Sequence, residues 1–206
     1  MNVLAIGAHP DDIELGCGGA ISKHLELGDE VHILILTNGE KGKHATNMEE
    51  CFNSLQNIGI KRTDIILGGF SDGFVKDNQE LVNFIEEQIN KFSISRIYTH
   101  TLNDRHQDHR NCSLAVSSAA RKTAEILQFQ GPSTNTSFAP HYYISLSENQ
   151  INKKLNSLNS YQTQIQKGII KLEWVKSLAI VHGMTQDAHY AEAFEINHLL
   201  KRENEI

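Results

Sequence analysis

"VLAIGAHPDDIELGCGG", residues 3–19, decides the fold: a short apolar run from Val3 to Gly7 ends at His9-Pro10, then passes into two adjacent carboxylates and a glycine-rich segment. The following "AISKHLELG" spaces Ile21, Leu25 and Leu27 as a helix closing at Gly28. The order is strand, loop, helix. A second unit follows, because "EVHILILTN" reads as a strand buried on both faces and "NMEECFNSLQNIG" sets Met48, Cys51, Phe52 and Leu55 on one helical stripe.

The alternation continues outward. "DIILGGF" is a third strand, "NQELVNFIEEQINKF" a helix with Leu81, Phe84, Ile85 and Ile89 inward, and "SRIYTH" a fourth strand. "DHRNCSLAVSSAARKTAEI" then reads as helix, "LQFQG" and "HYYISL" as the fifth and sixth strands. Repeated strand–helix units predict an α/β fold: one Rossmann-like domain over residues 1–206, with a mostly parallel sheet and helices on both faces. From Glu148 to Val181 the pattern turns helical, with Ile151, Leu155, Leu158, Ile165, Ile169 and Leu172 in step. This C-terminal region is expected to pack on the domain, with homo-oligomer formation as the other use of its apolar stripe.

The chain has 206 residues and a formal charge of −6, which disfavours a nucleic-acid binder because phosphate affinity comes from clustered Lys and Arg. A small molecule is the expected partner. No apolar run is long enough for a transmembrane segment, and no basic region precedes the first apolar stretch. Cys17, Cys51 and Cys112 are scattered, without a CxxC pair, so a reducing cytoplasm is the expected location.

Two neighbouring carboxylates repel, so something near Asp11 and Asp12 must hold one of them ionised. Pro10 keeps His9 extended, and His9 and Asp12 can then converge on zinc or a similar divalent ion, leaving Asp11 free as a proton acceptor. Gly16, Gly18 and Gly19 let the backbone pass close to the site and offer amides to an anion. The plain alternative is a helix cap beside a loop histidine.

"HTLNDRHQDHR", residues 100–110, ends the fourth strand and places His106 and His109 on one side of a first helical turn. Catalytic zinc commonly takes three protein ligands, so His9, Asp12 and one of these two histidines complete a site, and the other is left as an acid or oxyanion stabiliser. Asp108 can accept an imidazole N–H and fix its tautomer. The alternative here is a polar loop in which Asp104 or Asp108 caps the next helix.

"AHPDDIELGCGG", "TNGEKG", "FSDGF", "NDRHQDH" and "YAEAF" together resemble the PIG-L/LmbE-like zinc de-N-acetylases across nearly the whole chain. The resemblance implies that His9, Asp12 and His109 hold one zinc per chain, with Fe2+ or Co2+ able to take the same donors. It implies Asp11 as general base, His106 as a charged imidazole facing the developing oxyanion, and Asp108 as the partner orienting His106. The substrate implied is an N-acetyl amino sugar of the N-acetylglucosamine type, free or conjugated, which loses acetate. Many relatives carry an arginine after "TNGE", but residues 44–52 contain none, so an anion-holding role falls to Lys41, Lys43, His44 or Arg105, or is absent. Asp72 and Asn103 are candidates for sugar hydroxyls and Tyr142 for the cleft wall. Glu192 in "YAEAF" fits a buried hydrogen bond. The competing readings are a metal-dependent phosphoester hydrolase, which often needs a second metal, and a non-catalytic sugar-binding protein.

Overall fold

The alternation of apolar side chains on the first two strands sets the layering. In the computed structural model, which describes residues 1–41, 47–123 and 125–200, β1 (Asn2–Gly7) and β2 (Glu30–Thr37) are buried along nearly their whole length. Successive side chains point to opposite faces. Val3, Ala5, Ile33 and Ile35 therefore enter one core, and Leu4, Ile6, Leu34 and Leu36 the other. Helices α1 (Asp12–Glu26), α2 (Met48–Ile58) and α5 (Glu148–Leu158) cover the first core, while α3 (Gln79–Lys91) and α4 (Gln107–Ala119) cover the second.

Five further strands complete the sheet: β3 (Ile65–Phe70), β4 (Arg96–His100), β5 (Glu125–Phe129), β6 (Tyr142–Leu146) and β7 (Tyr190–Leu199). Their order is β3-β2-β1-β4-β5-β7-β6; the first five are parallel and β7 runs antiparallel to both its neighbours. The mostly parallel α/β architecture is the expected one. The chain moves from β1 outward to β3, then returns to the other side of β1 with β4. That reversal opens a crevice beyond the carboxyl ends of β1 and β4, where ligands bind in such sheets.

Several boundaries differ from the sequence reading. α4 stops at Ala119 and β5 starts at Glu125, because Ile126 and Leu127 fill the cores on opposite faces and pairing with β4 overrides local helix preference. The C-terminal helical region is three helices, α5, α6 (Gln162–Gln166) and α7 (Leu172–Met184), with Gly168 at φ +72° between the last two. Strand β7 has no counterpart in the sequence reading. No helix among the described residues is long and apolar enough to cross a membrane.

The glycine-rich segment is not a loop. Helix α1 begins at Asp12 and runs through it, but breaks at Cys17, whose φ of −144° and ψ of 19° are non-helical. A break frees amides and carbonyls that must find other partners. Glu192, near the start of β7, accepts the Gly19 N–H at 2.9 Å and the Ala20 N–H at 2.7 Å. Lys154 of α5 donates from Nζ to the Leu15 carbonyl at 2.8 Å and to Glu192 at 2.6 Å. The anion held by the glycine-rich amides is thus an internal carboxylate, at the start of the second half of α1 where the helix dipole favours negative charge.

Glycine also lets α1 lie directly on the sheet. A Cβ on Gly16 would sit 2.2 Å from Cδ2 of the buried Phe129 ring. Gly16→Ala is therefore expected to cost about 1–3 kcal/mol through overpacking, read from urea unfolding midpoints. An unchanged midpoint would mean that Phe129 can move aside.

Candidate active site

The exit from β1 is pinned before the chemistry begins. The Ala8 carbonyl accepts from the Thr37 N–H and Oγ1, both at 2.9 Å, so β2 fixes the direction in which the chain leaves the sheet. Pro10 then turns the chain, and Asp11 occupies the N-cap of α1 at φ 92°, a left-handed conformation that side chains rarely adopt. Its carboxylate makes no capping hydrogen bond. Asp12 turns the other way and accepts the His9 N–H at 2.7 Å. The two carboxylates therefore occupy different surroundings.

Three donors converge across the β1/β4 crevice. His9 Nδ1 lies 3.2 Å from His109 Nε2, Asp12 Oδ2 is 3.4 Å from His9 Nδ1, and Asp12 Oδ1 is 3.4 Å from His109 Nε2. The three residues thus meet pairwise at 3.2–3.4 Å, Asp12 using one oxygen toward His9 and the other toward His109, close to the spacing of about 3.3–3.4 Å between donors that stand about 2.05 Å from a tetrahedral ion. Among the described residues, three overlapping groups each bring donor atoms within 4.8 Å of one another: His9–His106–His109, Asp12–His100–His109 and His9–Asp72–Asp108.

A second ring of carboxylates stands behind the imidazoles. His9 Nε2 is 3.2 Å from Asp72 Oδ1 and 3.3 Å from Asp108 Oδ2. Burial opposes a charge on His9, but the contacts with Asp108, Asp12 and Asp72 prevail and push its pKa up to about 11, so this point strongly favours positive charge. His109 Nδ1 faces Asp104 Oδ2 at 3.3 Å. Burial raises the Asp104 pKa, but hydrogen bonds from His109, Ser133 and the His106 backbone outweigh it and hold the carboxyl well below the usual range.

Burial also acts on the two aspartates beside His9, with opposite net results. It pushes Asp11 well above the usual carboxylate range, helped by Asp12 and Glu14. For Asp12 the burial cost is overcome by His109 and His100, which hold it low. The repulsion between the neighbours is therefore resolved with Asp12 as the committed anion and Asp11 as the stronger base.

His106 and Asp108 are arranged differently from the expectation. The Asp108 carboxylate turns to His9 and accepts the Gly73 N–H at 2.7 Å, and it is the Asp108 backbone N–H that reaches His106 Nδ1, at 3.2 Å. Burial and the neighbouring His109 and His9 lower the His106 pKa, which disfavours the charged imidazole, and a neutral ring whose Nδ1 accepts the Asp108 N–H would carry its proton on Nε2. Asp108 orients His9 through its side chain and His106 only through its backbone.

The site opens into a cleft of about 340 Å³ whose lining includes Asp11, Leu15, Lys41, Asp72, His106 and Ile169. Lys41 and Asp72 are thus in the cleft, linked by a hydrogen bond from the Lys41 N–H to Asp72 Oδ2 at 2.8 Å. Asn103 is turned away and donates to Glu195 at 3.0 Å, while Arg105 Nε is bound to the Ser133 carbonyl at 3.1 Å. Tyr142 is not in the cleft: its hydroxyl accepts from Arg96 at 3.3 Å in a separate depression lined by His24 and Lys23. Lys43 and His44 lie outside the described residues.

The sequence reading assigned His100 no role and Asp104 only that of a possible helix cap. The His100 ring stacks on His109, with centroids 4.0 Å apart, and its Nε2 accepts the Ala8 N–H at 3.1 Å. Burial, then His109, lower its pKa to about 4, so the ring favours its neutral form and ties the end of β4 to the exit of β1. Its only signal was a histidine closing an apolar strand. Asp104 had a stronger one, standing two residues before His106 and five before His109.

Comparison with known proteins locates the same stretch. Residues 4–120 match the family model PIG-L, described as GlcNAc-PI de-N-acetylase. The chain is 34% identical over 167 residues to a protein of Escherichia coli (strain K12) named uncharacterized deacetylase YaiS, covering 78% of this chain and 90% of that one. It is 23% identical over 218 residues to the diacetylchitobiose deacetylase of Thermococcus kodakarensis, covering 92% and 80%. A solved structure of a conserved protein from Thermus thermophilus shares the fold, with a TM-score of 0.83 at 24% identity over 97% of this chain and 96% of that one.

Proposed function

Because the chain belongs to the PIG-L family (GlcNAc-PI de-N-acetylase), we propose that it is a zinc-dependent hydrolase that removes the acetyl group from an N-acetylated amino sugar or its conjugate. The observation that carries this reading is the meeting of His9, Asp12 and His109, whose donor atoms approach pairwise to 3.2–3.4 Å, beside an aspartate whose carboxylate makes no capping bond. The diacetylchitobiose deacetylase relative supports a sugar acetamide as the substrate class. The buried free thiols Cys17, Cys51 and Cys112 suit a reducing compartment, the cytoplasm.

His9, Asp12 and His109 would hold the ion, which supplies Lewis acidity to an amide carbonyl and to water. Asp11 takes the proton of the attacking water, and its raised pKa suits a base that must later give that proton to the leaving amine. His106, neutral with Nε2–H available, donates to the oxygen on which negative charge develops. Asp108 and Asp104 hold the ligand imidazoles. Leu15 and Ile169 offer apolar wall to the acetyl methyl and the sugar ring, with Lys41 and Asp72 as polar contacts. One water is consumed, and acetate and a free amine are released.

The test is acetate release from a panel of N-acetyl amino sugars and their conjugates, with zinc-loaded protein against a chelated control. Metal-dependent release from a panel member is expected. His109→Ala, which leaves two protein ligands, should lose both bound metal and release. Zinc-loaded protein that releases no acetate from any member would overturn the assignment.

A further inference from the structure

The geometry points to Asp104 as the residue that positions the metal ligand His109 and ties it to the wall of the cleft. The inference rests on the metal-site reading above and adds to it a residue outside the ligand set. Asp104 is 1% exposed and receives several donors at once. The His106 N–H reaches Oδ1 at 2.7 Å, Ser133 Oγ donates to Oδ1 at 2.6 Å, Thr134 Oγ1 donates to Oδ2 at 3.1 Å, and His109 Nδ1 stands 3.3 Å from Oδ2.

Such saturation leaves the carboxylate no freedom to turn. A fixed acceptor behind Nδ1 selects the tautomer with its proton on Nδ1, which leaves the Nε2 lone pair pointing at Asp12 and His9, where the ion would sit. The reach of Asp104 extends further. Ser133 lines the cleft, its Oγ is 3.3 Å from His109 Nδ1, and the Arg105 N–H donates to its carbonyl at 3.0 Å. Thr134 and Asp104 form an isolated antiparallel bridge. One carboxylate thus joins the start of α4, which carries His109, to the segment after β5 that forms one side of the cleft. Asp108 has no such link to that segment: its carboxylate serves His9 and Gly73.

Asp104→Asn keeps the size of the side chain and removes its charge. Zinc affinity, measured by competition with a chromophoric chelator, is expected to fall about 10- to 100-fold, the range for removing a partner behind a ligating histidine. The visible spectrum of the Co2+-loaded protein should change, which a residue serving only folding would not cause. Affinity within threefold of wild type, with an unchanged Co2+ spectrum, would overturn the inference. If the asparagine variant does not fold, the paired change Ser133→Ala and Thr134→Ala removes two donors that hold Asp104; a loss of zinc affinity supports the inference and an unchanged value overturns it. Wild-type protein that binds no zinc would instead remove the metal reading itself, which keeps the two failures apart.

Discussion

Asp11→Asn is expected to keep its metal and lose about a hundred- to ten-thousandfold in kcat/KM, the contribution typical of a positioned general base. The asparagine variant isolates that role better than alanine would. Asn tolerates the left-handed backbone that Asp11 adopts at φ 92°, whereas alanine would add strain to the chemical change. The side chain makes no capping bond, so α1 loses nothing, and removing a charge beside Asp12 relieves repulsion. Thermal stability should therefore be equal or higher. Metal content by elemental analysis and acetate release from the best panel substrate decide the matter. A folded, metal-loaded variant with near wild-type turnover would pass the base role to another group.

Glu192→Ala should give the largest loss of stability among single substitutions away from the cleft. The carboxylate is buried against Lys154, itself 4% exposed, and holds the two amides freed at the Cys17 break. Removing it strands a buried ammonium and two N–H groups, a change that typically costs about 3–5 kcal/mol. For a chain of this length the midpoint of thermal unfolding should fall on the order of 10 °C. Lys154→Met alone should also destabilise, by leaving the carboxylate unpaired. Combined with Glu192→Gln it should cost less than the sum of the single changes, because each partner matters chiefly through the other. Additive losses would show that the pair acts as two independent contacts.

The readings that succeeded relied on short-range pattern. β1 through β4 were legible because their apolar runs are bounded by turn residues, and α2 and α3 because their apolar residues form amphipathic stripes, which Asn47 and Asn78 cap in the structure. β7 was not, since Ala191-Glu192-Ala193 has little strand preference and an acidic centre. What makes that centre tolerable is Lys154, 38 residues away, and the amides of α1. The same long-range logic hid the glycines, which looked like a loop beside an anion and are a helix pressed onto Phe129.

Within the site, HPDD and the later HxDH stretch announced their residue types, and the structure brings His9, Asp12, His106, Asp108 and His109 together. Which carboxylate faces which imidazole was not legible. Asp108 is one residue from His109 and two from His106, yet its side chain serves His9, 99 residues away. Tyr142 misled for a related reason: the strand end was visible, but the Arg96 guanidinium that claims its hydroxyl belongs to another strand.

The break in α1 also bears on the order in which the protein can be completed as it is made. Every candidate donor of the site has been added to the chain once His109 is synthesised, and the stretch matching the family model ends at residue 120. The carboxylate that satisfies the broken helix arrives only with Glu192, in the last strand. Translation proceeds at about 5–20 residues per second, so a nascent chain carries all the proposed site residues for some seconds before the first helix can settle beneath them. The residues proposed to perform the chemistry are early, and the carboxylate that steadies their helix comes late.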